Sequence, residues 1–203
     1  MKLIIMTKST FFVEEDMILT TLFEEGLENL HLYKPQSDPV YSERLLTLLS
    51  DDYYKHITVH DHFYLRDEYG LRGIHLENPN DALPYGYRGH VSRTCTSISQ
   101  LREAKKNSKY VFLKSIFDSH TNHTDRQSFT AEELKKASRQ GLIDRHVYAL
   151  GGISLDNISQ VADMGFGGVV VCGDLWNRFN IHHEQDYKQL IAHFKKLQLR
   201  ARS

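Results

Sequence analysis

Residues 147–175, VYALGGISLDNISQVADMGFGGVVVCGDL, constrain the fold more than any other stretch of the chain. They read as strand, glycine turn, helix, strand, glycine turn. Val147 to Leu150 is a short apolar run stopped by Gly151 and Gly152. Ser154 is placed to cap a helix whose apolar positions Ile153, Leu155, Ile158, Val161, Ala162 and Met164 recur at helical spacing. Gly165 ends that helix, and Gly168 to Val171 forms a second buried-strand run before Gly173. Two short strands flanking one helix read as a βαβ unit. A glycine turn after each strand bares backbone N–H groups toward an anion.

The same alternation extends along the chain. Strand-like runs fall at residues 3–6, 29–33, 57–61, 73–76, 90–94, 110–116, 147–150 and 168–172. Helical patterns fill residues 14–25, 42–49, 62–69, 97–107, 130–139, 154–164 and 184–197. Eight strands alternating with helices predict an α/β fold with a parallel sheet, a closed (β/α)8 TIM barrel as a single domain over residues 1–203. An open doubly wound sheet with fewer strands is the rival architecture. Residues 77–89 hold two prolines and two glycines and read as a loop. Residues 118–129, DSHTNHTDRQSF, are polar and follow the sixth strand as a candidate lid.

Charge and cysteine content narrow the function. A net charge of −1 offers no basic field, so nucleic acid is not an expected partner. No apolar run approaches the ~18–20 residues that span a bilayer, so no membrane partner is expected. The amino-terminal MKLIIMTKSTFF lacks the features of a secretion signal, and Cys95 and Cys172 make no disulfide framework. A cytoplasmic location is the expectation. A homo-oligomer remains compatible with all of this.

Barrel active sites lie at the carboxyl ends of the strands. There the sequence places His31, Tyr33 and Lys34; His60, Asp61 and His62; His75, Glu77 and Asn78; Arg93, Thr94 and Thr96; and Lys114, Ser115, Ser119, His120 and Thr121. Period-two alternation puts His31 with Tyr33, Thr58 with His60, and His75 with Glu77 on shared faces. If those faces point inward, three histidines meet. Three readings stand: packed hydrogen-bonded histidines, acid/base or substrate-binding groups, or a metal site completed by Asp61 or Glu77. Asp61 also suits a single Mg²⁺ ligand beside a phosphorylated substrate. Cys172 reads as a small buried residue whose backbone lines the anion site, and the His182-His183-Glu184 run reads as a solvated helix start.

The chain resembles the thiamine phosphate synthase family, which includes the TenI-like thiazole tautomerases. The likeness is carried by YALGGISLDN (148–157) with MGFGGVVVCGDL (164–175), by ITVHDHFYLRDEYGLRGIHLEN (57–78) and by YVFLKSIFDSHT (110–121), in that family's order and spacing. The resemblance implies a transferase of thiamine biosynthesis. Such an enzyme condenses a hydroxymethylpyrimidine diphosphate with a thiazole phosphate, giving thiamine phosphate and diphosphate with Mg²⁺ assistance. It implies phosphorylated small-molecule substrates and a thiazole-phosphate grip by Gly151, Gly152, Cys172 and Gly173. Ser119 and Thr121 stand for the family's Thr-x-Thr, Thr94 for its serine after strand five, and Asp61 for its first Mg²⁺ carboxylate. Its second carboxylate falls at Asn80. The family's Gln-Leu-Arg-x-Lys becomes His31-Leu32-Tyr33-Lys34-Pro35, so the diphosphate-binding cations are out of register, with Lys34 one position off. The Lys after Thr-x-Thr becomes Asn122. In the synthase reading, His31, His60, Thr94 and Lys114 surround the pyrimidine diphosphate. The alternatives are a tautomerase using His31, His60 or His120, although Ser115 stands where that enzyme's strand-six histidine is expected, and a non-catalytic thiazole phosphate- or thiamine phosphate-binding barrel.

Overall fold

The computed structural model describes residues 1–180 and 187–203. Eight parallel strands close into a barrel in sequence order: β1 Lys2–Met6, β2 Leu30–Leu32, β3 Ile57–Val59, β4 Gly73–Leu76, β5 His90–Cys95, β6 Tyr110–Leu113, β7 Val147–Leu150 and β8 Gly168–Val171. Closure is made by β1 against β8, with Lys2, Leu3, Ile4 and Ile5 opposite Gly168, Val169, Val170 and Val171. That pairing rules out the open-sheet alternative. The helices are α1 Glu15–Glu24, α2 Pro39–Leu48, α3 Tyr64–Tyr69, α4 Leu101–Lys106, α5 Ala131–Arg139, α6 Ile158–Asp163, α7 Gly173–Trp176 and α8 Lys188–Arg202. β4 leads to β5 through a loop without a helix. Among the described residues, no helix is long and apolar enough to cross a membrane.

Local chemistry sets several of these boundaries. Asp38 accepts a hydrogen bond from Val40 N–H at 3.0 Å, and Pro39 opens α2 where its missing N–H costs nothing. Thr130 and Glu133 form a reciprocal capping box at α5. Gly168 is required by close packing, because a Cβ there would sit 2.8 Å from the Tyr148 ring and 2.9 Å from Lys2 O.

Some expected boundaries move. The sixth strand stops at Leu113, three residues early, because Ser115 takes a left-handed φ of 68° that breaks the ladder. The helix after β7 begins at Ile158. Ser154 does not cap it with its side chain; instead its N–H donates to Asn157 Oδ1 at 2.9 Å, and its carbonyl accepts from Asn157 and Ile158. A 3₁₀ helix, Asp51–His56, and the short α7 have no periodicity long enough to read. The expected helix over 184–197 is seen as α8; His182, His183 and Glu184 lie outside the described residues.

Apolar residues form two bodies. The larger fills the space between sheet and helices, with Ile5, Leu30, Ile57, Ile74, Val111, Val169 and Phe194 among its fully buried members. The smaller lies inside the barrel: Ile4, Met6, Tyr110, Phe112, Tyr148 and Val170. These come only from β6, β7, β8 and β1. The rest of the interior, from β2 to β5, is polar: His31, Thr58, His75, Ser92 and Thr94 are all buried, with His60 just beyond β3. Branched aliphatic residues ordinarily fill such an interior.

Candidate active site

A cavity of 560 Å³ opens at the carboxyl ends of the strands. Its floor is Met6, Val170 and Leu150. The loop after β6 supplies Lys114, Ser115, Ser119, His120, Thr121 and Asp125; the loops after β7 and β8 supply Gly151, Gly152, Cys172 and Gly173. Thr94, Tyr33, Glu77 and Lys8 complete the wall. The cavity thus gathers Thr94, Lys114, Ser119, His120, Thr121, Gly151, Gly152, Cys172 and Gly173 from the sequence-based set. His31, His60, Asp61 and Lys34 do not line it.

The glycine turns are shaped by the loop pressed against them. Gly152 has φ 62°, and a Cβ would stand 2.2 Å from Asp118 O. Gly151 has φ 102°, with a Cβ 2.9 Å from Ser115 N. A Cβ on Gly173 would meet His120 Cβ at 2.7 Å. The turns are also braced from behind. Asn157 Nδ2 donates to Gly152 O at 2.8 Å. Asp174 Oδ2 accepts from Leu155 N–H at 3.0 Å and from His193 Nε2 at 2.7 Å, tying the β7 loop, α7 and α8 together. Burial alone would raise the Asp174 pKa, but the His193 and Leu155 hydrogen bonds outweigh it and hold the carboxyl below its usual range. Gly173 and Asp174 open α7, so their N–H groups have no partner within the helix. Cys172 is half-buried, and burial pushes its thiol up to about 11, which leaves it protonated and unreactive at neutral pH.

Lys34 corrects the expectation that it binds substrate. It is 1% exposed, and its Nζ donates to Glu15 Oε1 at 2.6 Å and to Thr10 O at 2.9 Å, 4.5 Å from the centre of the Phe11 ring. Burial lowers the Lys34 pKa and raises that of Glu15, each opposed by the partner's charge. Its ammonium therefore fastens the segment before α1 rather than facing the cavity. Arg93 is likewise turned away, donating to the carbonyls of Pro79 and Asp81 at 3.1 and 2.7 Å. Asn80 sits beside Arg93 in a separate lateral pocket. Arg126 pairs with Asp118 at 3.2 Å on the surface. Of the cations near the cavity, Lys114 reaches Asp125 at 3.3 Å, and Lys8 was not anticipated because nothing in its neighbourhood resembles a site motif.

The three histidines meet inside the barrel, beneath the mouth. Their nearest ligand atoms lie within 4.8 Å of one another, the one such metal-sized group among the described residues. Every ring nitrogen already has a protein partner. His31 Nδ1 faces His60 Nε2 at 2.8 Å and His31 Nε2 faces Tyr110 Oη at 2.7 Å. His60 Nδ1 faces Glu77 Oε1 at 2.6 Å, and His75 lies 2.7 Å from Ser92 Oγ and 2.8 Å from Thr94 Oγ1. The His60 and His75 rings stack at 4.2 Å. An ion would have to break these bonds, so the cluster is a hydrogen-bond network and not a metal cage. Burial, reinforced by neighbouring positive charge, lowers the pKa of His31 and His75 well below 6.5 and keeps both neutral. Glu77, half-exposed, and Tyr33 were legible only as strand-end residues; their place on the wall needed the closed barrel.

A closed (β/α)8 barrel whose mouth joins glycine turns after β7 and β8 to hydroxyls from β5 and β6 defines a class of barrel protein with its candidate site at the carboxyl ends of the strands. Within that class the chain belongs to the thiamine monophosphate synthase family, whose model matches residues 43–175. A thiamine phosphate pyrophosphorylase structure from Bacteroides thetaiotaomicron is 48% identical, with TM-score 0.90, covering 100% of this chain and 98% of that one. One from Pyrococcus furiosus, 18% identical with TM-score 0.75 over 99% and 95% of the two chains, shares the fold. A thiamine-phosphate synthase of Rhodopirellula baltica is 31% identical over 121 residues, 56% of this chain; the chain spans 32% of that relative's length.

Proposed function

We propose that this protein, acting as a single domain, joins a hydroxymethylpyrimidine diphosphate to a thiazole phosphate, forming thiamine phosphate and releasing diphosphate. The observation that carries this reading is the meeting of Gly151, Gly152 and Gly173 with Thr94, Ser119 and Thr121 in one cavity on a chain of this family. The thiazole phosphate would sit against the two glycine turns, where backbone N–H groups meet the hydroxyls of Ser119 and Thr121. The pyrimidine end of the second substrate would occupy the opposite wall, near Thr94 and Tyr33. Lys8 and Lys114 take the role of the displaced family cations.

The chemistry is ionisation and capture. The bond between the pyrimidine methylene and the diphosphate oxygen breaks, and its electron pair leaves with the diphosphate. The thiazole nitrogen lone pair then forms the new C–N bond. The protein contributes positioning and charge complementarity rather than covalent chemistry.

Asp61 fits a Mg²⁺ ion. It is a hard oxygen donor, half-buried, whose Oδ2 takes only a long 3.3 Å bond from Lys34 N–H. A single carboxylate plus diphosphate oxygens is an ordinary Mg²⁺ environment, and the histidine nitrogens suit neither that ion nor its geometry. When bound, the ion would neutralise charge on the departing diphosphate. Asn80, in its lateral pocket, gives no second ligand.

The test is steady-state thiamine phosphate formation from both substrates with Mg²⁺, beside calorimetric titration of the thiazole phosphate. Product formation supports the reading. Tight thiazole phosphate binding with no product would leave a binding barrel in its place.

A further inference from the structure

The interior histidines form a chain with one direction. Glu77, as a carboxylate, can only accept, so His60 carries its proton on Nδ1. With a neutral imidazole at His60, its Nε2 accepts from His31 Nδ1–H, and His31 Nε2 accepts from the Tyr110 hydroxyl. Three consecutive hydrogen bonds of 2.7, 2.8 and 2.6 Å thus run from Tyr110, at the amino end of β6, up to the mouth. His31 and His60 are buried, whereas the Glu77 side chain is 50% exposed and lines the cavity. Glu77 Oε2 has no hydrogen-bond partner among the described residues. Sinking three imidazoles into a barrel interior is costly unless every nitrogen is satisfied, and here each is. The chain ends on a carboxylate that lines the cavity.

Position completes the argument. β4, which leads into Glu77, lies diametrically across the ring from β8, which leads into the Gly173 turn. A thiazole phosphate held at the glycine turns therefore leaves the second substrate on the Glu77 side. Burial raises the pKa of Tyr33 on the same wall, and the negative charge of Glu77, Asp61 and Asp125 adds to it. That wall is acidic, and it suits a positive charge.

We propose that Glu77 is a catalytic residue that stabilises the positive charge developing on the pyrimidine methylene, with His60, His31 and Tyr110 as positioning residues that hold the carboxylate on target. The proposal rests on the synthase reading above. When the C–O bond breaks, its electron pair goes to the diphosphate oxygen and the methylene carbon becomes cationic. The thiazole nitrogen supplies the pair for the C–N bond, and the positive charge passes to the thiazolium ring. Glu77 neither gains nor loses a bond; its charge opposes the cation before and after capture.

Glu77→Gln isolates this role, because the amide oxygen still accepts from His60 Nδ1–H while the charge is gone. The expected result is a fall in kcat of about 100-fold, the scale of a removed electrostatic stabiliser, with thiazole phosphate affinity unchanged in calorimetry. A Glu77→Gln enzyme with wild-type kcat overturns the proposal, since a purely structural hydrogen bond survives in it. Tyr110→Phe removes the far end of the chain and is expected to lower kcat about fivefold at constant KM; a change in KM alone contradicts a positioning role. Ring ¹⁵N shifts give a readout independent of activity. His31 and His60 are both expected with their proton on Nδ1, and a proton on Nε2 of either ring breaks the chain's direction and with it the positioning claim. Wild-type protein that binds thiazole phosphate but forms no product refutes the synthase reading itself, whatever the Glu77 variant does.

Discussion

The barrel interior is built in two unlike arcs. From β6 through β8 to β1 it is aromatic and aliphatic below and glycine-rich above, with Tyr110 and Tyr148 stacked at 4.8 Å and Gly151, Gly152 and Gly173 at the rim. From β2 to β5 it is histidine, serine and threonine, joined by side-chain hydrogen bonds. The first arc gains stability from burial and presents backbone. The second places polar side chains where each must find a partner. One arc depends on its glycines and its packing; the other, which Tyr110 joins from across the boundary, is a network in which removing one member strands another.

Four measurements strain this contrast, in falling order of effect. Lys34→Met, at the end of β2, leaves the buried Glu15 carboxylate without its counter-charge. It is expected to cost about 3–5 kcal/mol in urea unfolding, with Glu15→Leu in the same chain restoring much of the loss. Gly152→Val places a Cβ against Asp118 O in a left-handed turn. It is expected to weaken thiazole phosphate binding by about 100-fold, roughly 2.7 kcal/mol, in calorimetry while the histidine ring signals stay in place. Were those signals to move as well, the two arcs would be one unit.

The third is pH. His31 and His75 have folded-state pKa values below the unfolded 6.5, so the unfolded chain binds more protons once pH falls below that value. Stability is full above about 6.5 and is expected to fall with acidification toward the folded pKa values, by up to about 1.4 kcal/mol per pH unit for each histidine. His75→Phe, which retains the ring stack, should lower that slope in urea titrations at pH 5 and 6. The smallest effect belongs to Ser115→Gly. Relief of the left-handed φ is expected to stabilise by about 1 kcal/mol in thermal unfolding, since the backbone there is the conformation glycine prefers.

Much of the fold was legible because periodicity is local. Each of the eight strands was visible as a short apolar run, and α1, α5 and α8 as helical stripes. What escaped was short or set from outside: the 3₁₀ turn at Asp51–His56, α7, and the early end of β6 forced by Ser115. The site divided in the same way. Gly151, Gly152 and Gly173 announce themselves, because only glycine tolerates the contacts that their turns make. Lys34 misled because its type and position suit an anion, while the partner that removes it, Glu15, lies on a different element. Lys8 carried no signal at all.

The sequence by itself determined a parallel α/β chain with a glycine turn after each of its last two strands, for apolar spacing and glycine placement are properties of neighbouring residues. Only the tertiary structure decided that β1 closes on β8, that Lys34 is buried in an ion pair, and that Tyr110, His31, His60 and Glu77 form one chain. Hydrogen bonds between residues as far apart as 79 positions depend on strand register around a closed ring. No local pattern encodes that register, because it is set by the packing of the whole barrel.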